Sequence, residues 1–358
     1  MRARELSARP RDAVGGAPRR SLTAGLRGWG GVGAMAVLCA LALSLVLLLP
    51  LTQPHTAGTP VGIGGQRAVK GTQAKASDCK EDTAQNRSLS PSGASGATID
   101  AIKKRGYLIV GVDQNSYRWG YLDPNDPAGE PEGFDIDIVH AIARDIFGSD
   151  DAQYIQYRSI PTDQRIPAVT GHRVDMVVRT MTITCARLDD VTFSAPYFET
   201  GQQVLAPVNS TIKGYDKTLA GKKVCSAATS TALQHLNDDK KSGKIPASTD
   251  ISTVVPSQLD CLVRLQLGEV DAVVTDGALA ASQAAQDHTV ELKGPAFTTE
   301  YYGVAMNKSA KDLVRRVNRV LENYRSSGAW KNSYDTWLAQ TLGKDSKSAV
   351  PPTAHYQG

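Results

Sequence analysis

The stretch "VDMVVRTMTITCARLDDVTFSAPYF", residues 174–198, decides how this chain is read. Val174 to Val178 has the apolar content of a buried strand. After it, Thr180, Thr182 and Thr184 fall at alternate positions, with Met181 and Ile183 on the opposite face. Cys185 and Arg187 follow at once. Open α/β sheets hold their ligands beyond the carboxyl ends of strands. A strand that runs out into hydroxyls and an arginine has the composition of such an end.

Working outward, the same grammar recurs. "YLIVGVD" (107–113) reads as a buried strand, and "GFDIDIVHAIARDIFG" (133–148) as an amphipathic helix with Ile138, Ile142 and Ile146 on one face and Gly148 as its stop. "QYIQYRSI" is a strand and "DQRIPAVT" a short helix. The pattern restarts with "KKVCSA" (222–227), a helix from "STALQHL", the strand "STVV", the helix "SQLDCLVRLQLG", the strand "VDAVVTD" and the helix "GALAASQAAQ". Alternation of this kind predicts α/β structure with mainly parallel sheets. "PAVTGHRVDMVVRT" and "VRLQLGEVDAVVTD" echo one another, which points to two similar lobes. The lobes are placed at 98–202 plus 297–340 and at 203–296, with crossing segments around Glu199–Leu205 and Thr299–Val304 as the hinge.

Four predicted strand ends carry polar groups. They are Asp113 and Asn115; Arg179, Thr180, Thr182 and Arg187; Thr229, Ser230 and Thr231; and Thr275 and Asp276. Singly these are ordinary, since threonines are common turn residues and Asp276-Gly277 also reads as a turn and cap. Together they suit an α-amino acid. Arginine grips a carboxylate bidentately, a helix start capped by Ser230 offers N–H groups to the same anion, and aspartate accepts from an ammonium. Trp119, Tyr197 or Tyr302 would close over the aliphatic stem.

The chain has 358 residues, 41% hydrophobic and 21% charged, with a net charge of +4. Residues 1–31 hold seven arginines against Glu5 and Asp12, a net of +5, so the remainder carries about −1 and offers no basic face for nucleic acid. "VGAMAVLCALALSLVLLLPL" (32–51) is uncharged and long enough to cross a bilayer of about 30 Å. The arginines then stay cytoplasmic and the rest is exported, as an anchored protein or, on the competing reading, after signal cleavage. Residues 52–97 read as a flexible linker and 341–358 as a tail. Beyond the apolar run lie Cys79, Cys185, Cys225 and Cys261, an even number for an oxidising compartment. Cys225 and Cys261 share a lobe, which favours their pairing and leaves Cys79 with Cys185; free buried thiols are the alternative. No Cys-x-x-Cys occurs and the histidines are scattered, so neither metal nor cofactor is expected.

"GFDIDIVHAIA", "TMTITCARLDDVTFSAPYF" and "LQLGEVDAVVTD" resemble the hallmarks of family 3 extracellular solute-binding proteins, the amino-acid receptors of ABC transporters. The likeness spans about 100–340. "KKVCSAATST" and "YYG" (301–303) are similar to the glutamate- and glutamine-binding members of Gram-positive type. The resemblance implies a type II periplasmic-binding-protein-like fold of two α/β lobes joined by two hinge strands. It implies that Thr182 and Arg187 bind the ligand α-carboxylate, with Ser230 and Thr231 completing that site, and that Asp276 and the Thr180 carbonyl bind the ammonium. Thr229 and Met181 are counted with the site. Asp113 aligns with a position that reads the side chain, and Arg165 and Arg179 are the candidates for a side-chain carboxylate. Where glutamine binders often carry lysine in the second-lobe strand, this chain has Ala227, a departure that leaves side-chain specificity open between acidic and amide ligands. The two further arginines near the site favour glutamate or aspartate over glutamine, and Asp113 would oppose that if it pointed inward. The expected partner of a monomeric receptor is an ABC permease, or, for a sensor, a membrane signalling protein. A dehydratase-like enzyme is disfavoured because no histidine stands at a predicted strand end.

Overall fold

A computed structural model describes residues 79–126 and 129–357. The basic tail 1–31, the apolar run 32–51 and the linker up to residue 78 lie outside the described residues. Among the described residues no helix is long and apolar enough to cross a membrane.

Two five-stranded sheets form the frame. In the first, the order is Ile155–Ser159, Leu108–Val112, Met176–Val177, Ala305–Asn307 and Val191–Phe193. The first three run parallel, and Ala305–Asn307 is antiparallel to both neighbours. In the second, the order is Asp250–Val255, Lys223–Ala227, Ala272–Asp276, Gln202–Pro207 and Val290–Lys293. Again the first three are parallel and Gln202–Pro207 is antiparallel to both neighbours.

The sheets are thus more mixed than the alternation of elements predicts, and the crossing chain is the reason. Gln202–Pro207 reaches the second sheet directly from the first lobe, and Ala305–Asn307 enters the first sheet directly from the second. Each arrives against the direction of the parallel strands. Between the sheets, Phe198–Thr200 pairs antiparallel with Glu300–Tyr302. Gln202–Pro207 itself belongs to the second sheet, so the paired crossing is shorter than the sequence implies.

Helices cover the sheets with the faces their periodicity dictates. Phe134–Phe147 buries Ile138, Val139, Ile142 and Ile146, and Lys311–Ser326 buries Leu313, Val314, Val317, Val320 and Leu321. Gly148, at φ 80°, ends the first of these by donating its N–H to the Arg144 carbonyl, a left-handed cap that glycine adopts without steric cost. In the second lobe Gln258–Gln266 starts on a capping box of Ser257 and Asp260.

Two segments differ from the expectation of linker and tail. Cys79 is bonded to Cys185, Glu81–Ala84 forms a helical turn, and Arg87–Leu89 pairs parallel with His355–Gln357. The C-terminal residues also include the helical Ala339–Leu342 and a 3-10 turn at Lys347–Ala349. Low apolar content hides this order because polar side chains provide it. Asn318 donates to Ser88 Oγ and to the Leu89 carbonyl, both at 2.7–2.8 Å, and accepts from the Ala195 N–H. The other pair, Cys225–Cys261, joins a strand of the second lobe to the helix beside it.

Candidate functional site

The deciding stretch folds differently from a long strand. Of the strand expected at 174–178 only Met176–Val177 is strand, and Thr180 takes a left-handed backbone at φ 41°. That conformation costs a β-branched residue about 1 kcal/mol or more. Asp135 holds it, accepting the Thr180 N–H at Oδ2 (2.9 Å) and the Tyr197 hydroxyl at Oδ1 (2.8 Å). Burial pushes the Asp135 carboxyl up to about 7, against the pull of those two donors. Gly133 lets the start of the helix Phe134–Phe147 lie against the Trp119 backbone, since a Cβ there would stand 2.5 Å from the Trp119 carbonyl oxygen. Thr184 caps the turn Cys185–Leu188 by accepting the Arg187 N–H, and the guanidinium then reaches back to the Thr182 carbonyl at 2.6 Å. The three threonines therefore do three jobs and do not line one face.

From the second lobe, Ser230 caps the helix Thr231–Ser242 by accepting the Leu233 N–H. Thr229 is also left-handed (φ 56°), and its carbonyl accepts Arg187 Nη2 at 3.1 Å. Further bonds join the lobes. The Thr162 N–H donates to the Pro256 carbonyl, Arg179 Nη2 to Ser257 Oγ, and Trp119 Nε1 to Ser282 Oγ. The cleft is closed.

At its base sits a cluster that includes two residues the sequence reading missed, Gln202 and Glu300. Glu300 Oε2 accepts from Thr182 Oγ1 (2.7 Å), Thr231 Oγ1 (2.9 Å) and Gln202 Nε2 (3.1 Å). Its other oxygen lies 3.6 Å from His235 Nε2. The same Gln202 nitrogen donates to Asp276, whose second oxygen accepts the Tyr302 hydroxyl at 2.7 Å. Burial, then the neighbouring Glu300 charge, pushes the Asp276 carboxyl up to about 7. Burial also raises Glu300, but hydrogen bonds from His235, Thr182, Thr231 and Gln202 outweigh it and hold it below the ordinary carboxylate range. The available signal was an acid placed between threonines and the tyrosines of "TTEYYG" in an otherwise buried crossing.

A cavity of about 350 Å3 is lined by Arg165, Arg187, Met181 and Thr229 together with Asp163 and Asp190, and Thr182, Thr231, Asp276 and Glu300 are not among its lining residues. Arg165 is 3% exposed and Arg187 8%. Arg165 donates Nε to the Thr162 carbonyl (3.0 Å) and Nη1 to the Arg179 carbonyl (3.4 Å), and it forms no ion pair among the described residues. Burial, then repulsion from Arg187 and Arg179, pulls its proton affinity well below the usual arginine range.

Other candidates lie elsewhere. Arg179 is fully buried and pairs with Asp113 at 2.8 Å, so it is not among the cavity's lining residues. Asp113 is further satisfied by the Gln114 and Asn115 N–H groups and the Ser116 hydroxyl. Its charge is consumed within the first lobe. Asn115 is exposed and borders a separate crevice with Gln258, Ser282 and Gln283. Trp119, Tyr197 and Tyr302 are fully buried, and both tyrosine hydroxyls are taken by aspartates. Among the described residues no cluster of His, Cys, Asp or Glu has the arrangement of a metal site.

The chain is similar in sequence and fold to known proteins. Residues 108–340 match the family model of bacterial extracellular solute-binding proteins, family 3. The glutamine-binding protein GlnH of a Bacillus subtilis ABC transporter is 32% identical over 243 residues, covering 68% of this chain and 85% of its own. The glutamate-binding protein GluB of Corynebacterium efficiens is 26% identical over 259 residues, 69% of this chain and 82% of its own. Among solved structures, an ancestral arginine-binding protein bound to glutamine superposes with a TM-score of 0.57 at 32% identity, covering 65% of this chain and 98% of that one. The chain belongs to the family 3 bacterial extracellular solute-binding proteins, and is an amino-acid receptor and not an enzyme.

Proposed function

We propose that the protein captures an acidic amino acid, glutamate or aspartate, in the closed cleft and delivers it to an ABC permease. One observation carries the choice of ligand: two buried guanidiniums, Arg165 and Arg187, line the same cavity and repel one another. A dicarboxylate relieves that repulsion at both ends. Arg187 and the helix start at Thr231 take the α-carboxylate, where the helix dipole adds to the attraction. Asp276 and the Thr180 carbonyl take the ammonium, and Arg165 takes the side-chain carboxylate. Asp113 offers no opposition, because its charge is spent on Arg179. Thr182 differs in role from what the resemblance implies. Its hydroxyl proton goes to Glu300, so it presents the ligand with an acceptor.

Closure by bending at the paired crossing Phe198–Thr200 and Glu300–Tyr302 removes water and strengthens each ion pair. The two disulfides fit an exported protein, and the apolar run 32–51 would hold it at the outer face of the membrane. A thermal-shift panel of the protein amino acids tests the proposal. Glutamate or aspartate should raise the melting temperature most, glutamine and asparagine less, and arginine not at all. A panel in which no acidic or amide amino acid shifts the transition contradicts it.

A further inference from the structure

We infer that Glu300 is a positioning residue of the ligand site: it fixes the direction of the Thr182 and Thr231 hydroxyls and shares with Asp276 a proton that the ligand's ammonium displaces. The inference rests on the amino-acid reading above and deepens it.

The geometry is a buried acid pair bridged by one amide. Gln202 Nε2 donates to both Asp276 Oδ1 and Glu300 Oε2. Two carboxylates held this close cannot both ionise cheaply, so one keeps a proton. The donors decide which. Glu300 receives two hydroxyls and the amide and faces His235, whereas Asp276 receives the amide and the Tyr302 hydroxyl. The charge settles on Glu300 and the proton on Asp276. Gln202 Oε1 is buried with no hydrogen-bond partner among the described residues, so the cluster carries an acceptor that still lacks a donor.

An arriving ammonium brings donors and a positive charge. It favours the ionised form of Asp276, and the proton leaves to solvent; no bond to carbon is made or broken. Other charged groups around the pair act in known directions. Arg165 and Arg187 from the first lobe favour an ionised Asp276, and Tyr302 from the crossing stabilises it as a donor. His235, on the second-lobe helix, is itself biased toward its protonated form, first by its hydrogen bond to Glu300, with Asp239 assisting and Lys244 opposing. Glu300 thus sets both the hydroxyl directions and the protonation of its neighbour.

The test is calorimetric titration of L-glutamate into the wild-type protein in buffers of different ionisation heat. At about pH 6 the proposal expects about one proton released per ligand bound, falling toward zero at about pH 8, with affinity rising about tenfold between them. Glu300→Gln should lower the release at the lower pH, because the neighbouring charge that opposes ionisation of Asp276 is gone while its burial remains. His235→Asn removes only one of the groups that hold Glu300 charged and should reduce the release less than Glu300→Gln does. Heats independent of buffer in the wild-type protein overturn the proposal while leaving the amino-acid reading intact, and this arm needs no variant to fold. Undiminished release in Glu300→Gln overturns it as well. Absence of any binding contradicts the amino-acid reading, and the proposal with it.

Discussion

The two lobes bring their halves of the cleft into place by different means. In the first lobe the turn Thr180–Arg187 is imposed by side chains: a buried aspartate holds a left-handed threonine, and a disulfide ties Cys185 to Cys79, outside the matched residues 108–340. In the second lobe the polar groups come with a regular helix start, capped by Ser230, and the disulfide Cys225–Cys261 stays between adjacent elements. The lesson is one of where perturbations should be felt. Changes behind the first half should alter binding as well as stability, and changes behind the second should alter stability alone.

The two disulfides should have the largest effects, and removing the second-lobe bridge with Cys225→Ser and Cys261→Ser should be felt in stability alone. The closed loop spans 36 residues, which loop entropy converts to about 4 kcal/mol of stability, measured by chemical denaturation. Ligand affinity in the protein that remains folded should change little. Removing the first-lobe bridge with Cys79→Ser and Cys185→Ser opens a loop of 106 residues and should cost about 5 kcal/mol of stability by the same rule. It should in addition weaken ligand binding by about tenfold, a loss of roughly 1.4 kcal/mol in holding Arg187. Equal effects of the two double variants on affinity would erase the distinction between the lobes.

Asp135→Asn comes next. It keeps the shape but weakens the grip on Thr180, and should cost about 1–3 kcal/mol of stability together with ligand affinity. It should also change a pH slope. The Asp135 carboxyl is raised to about 7 in the folded protein, so its contribution favours folding at pH below the ordinary carboxylate range and is lost as pH climbs through about 7. The melting temperature of the ligand-free protein should fall from about pH 5 to about pH 8, and Asp135→Asn should flatten that fall. Smallest is Ser230→Ala, expected to cost about 1 kcal/mol by uncapping the helix.

Much of this was legible in the sequence because it is local. The helix at Phe134–Phe147 shows in the spacing of its isoleucines, the cap at Ser230 in its place before an apolar run, and the second-lobe disulfide in two cysteines of one lobe. Arg187 and Asp276 could be chosen because each follows a strand. What stayed hidden is set by contacts far apart in sequence. Thr182 and Glu300 are 118 residues apart, and Asn318 and Ser88 are 230 apart. No local pattern announces that Glu300 would take the hydroxyl protons of two threonines, or that Asp113 would silence Arg179. The strand pairing of Arg87–Leu89 with His355–Gln357 was missed for the same reason, since its segments are polar and short.

The central claim is that Arg165 and Arg187 together select a dicarboxylic amino acid. Its most direct test is titration of L-glutamate and L-glutamine into the wild-type protein and into Arg165→Gln. The account predicts that the wild-type protein prefers glutamate by about tenfold or more, the worth of one buried charge-assisted pair, and that Arg165→Gln abolishes or reverses the preference. A wild-type protein that binds glutamine as tightly as glutamate, or a variant that keeps the preference, would contradict it.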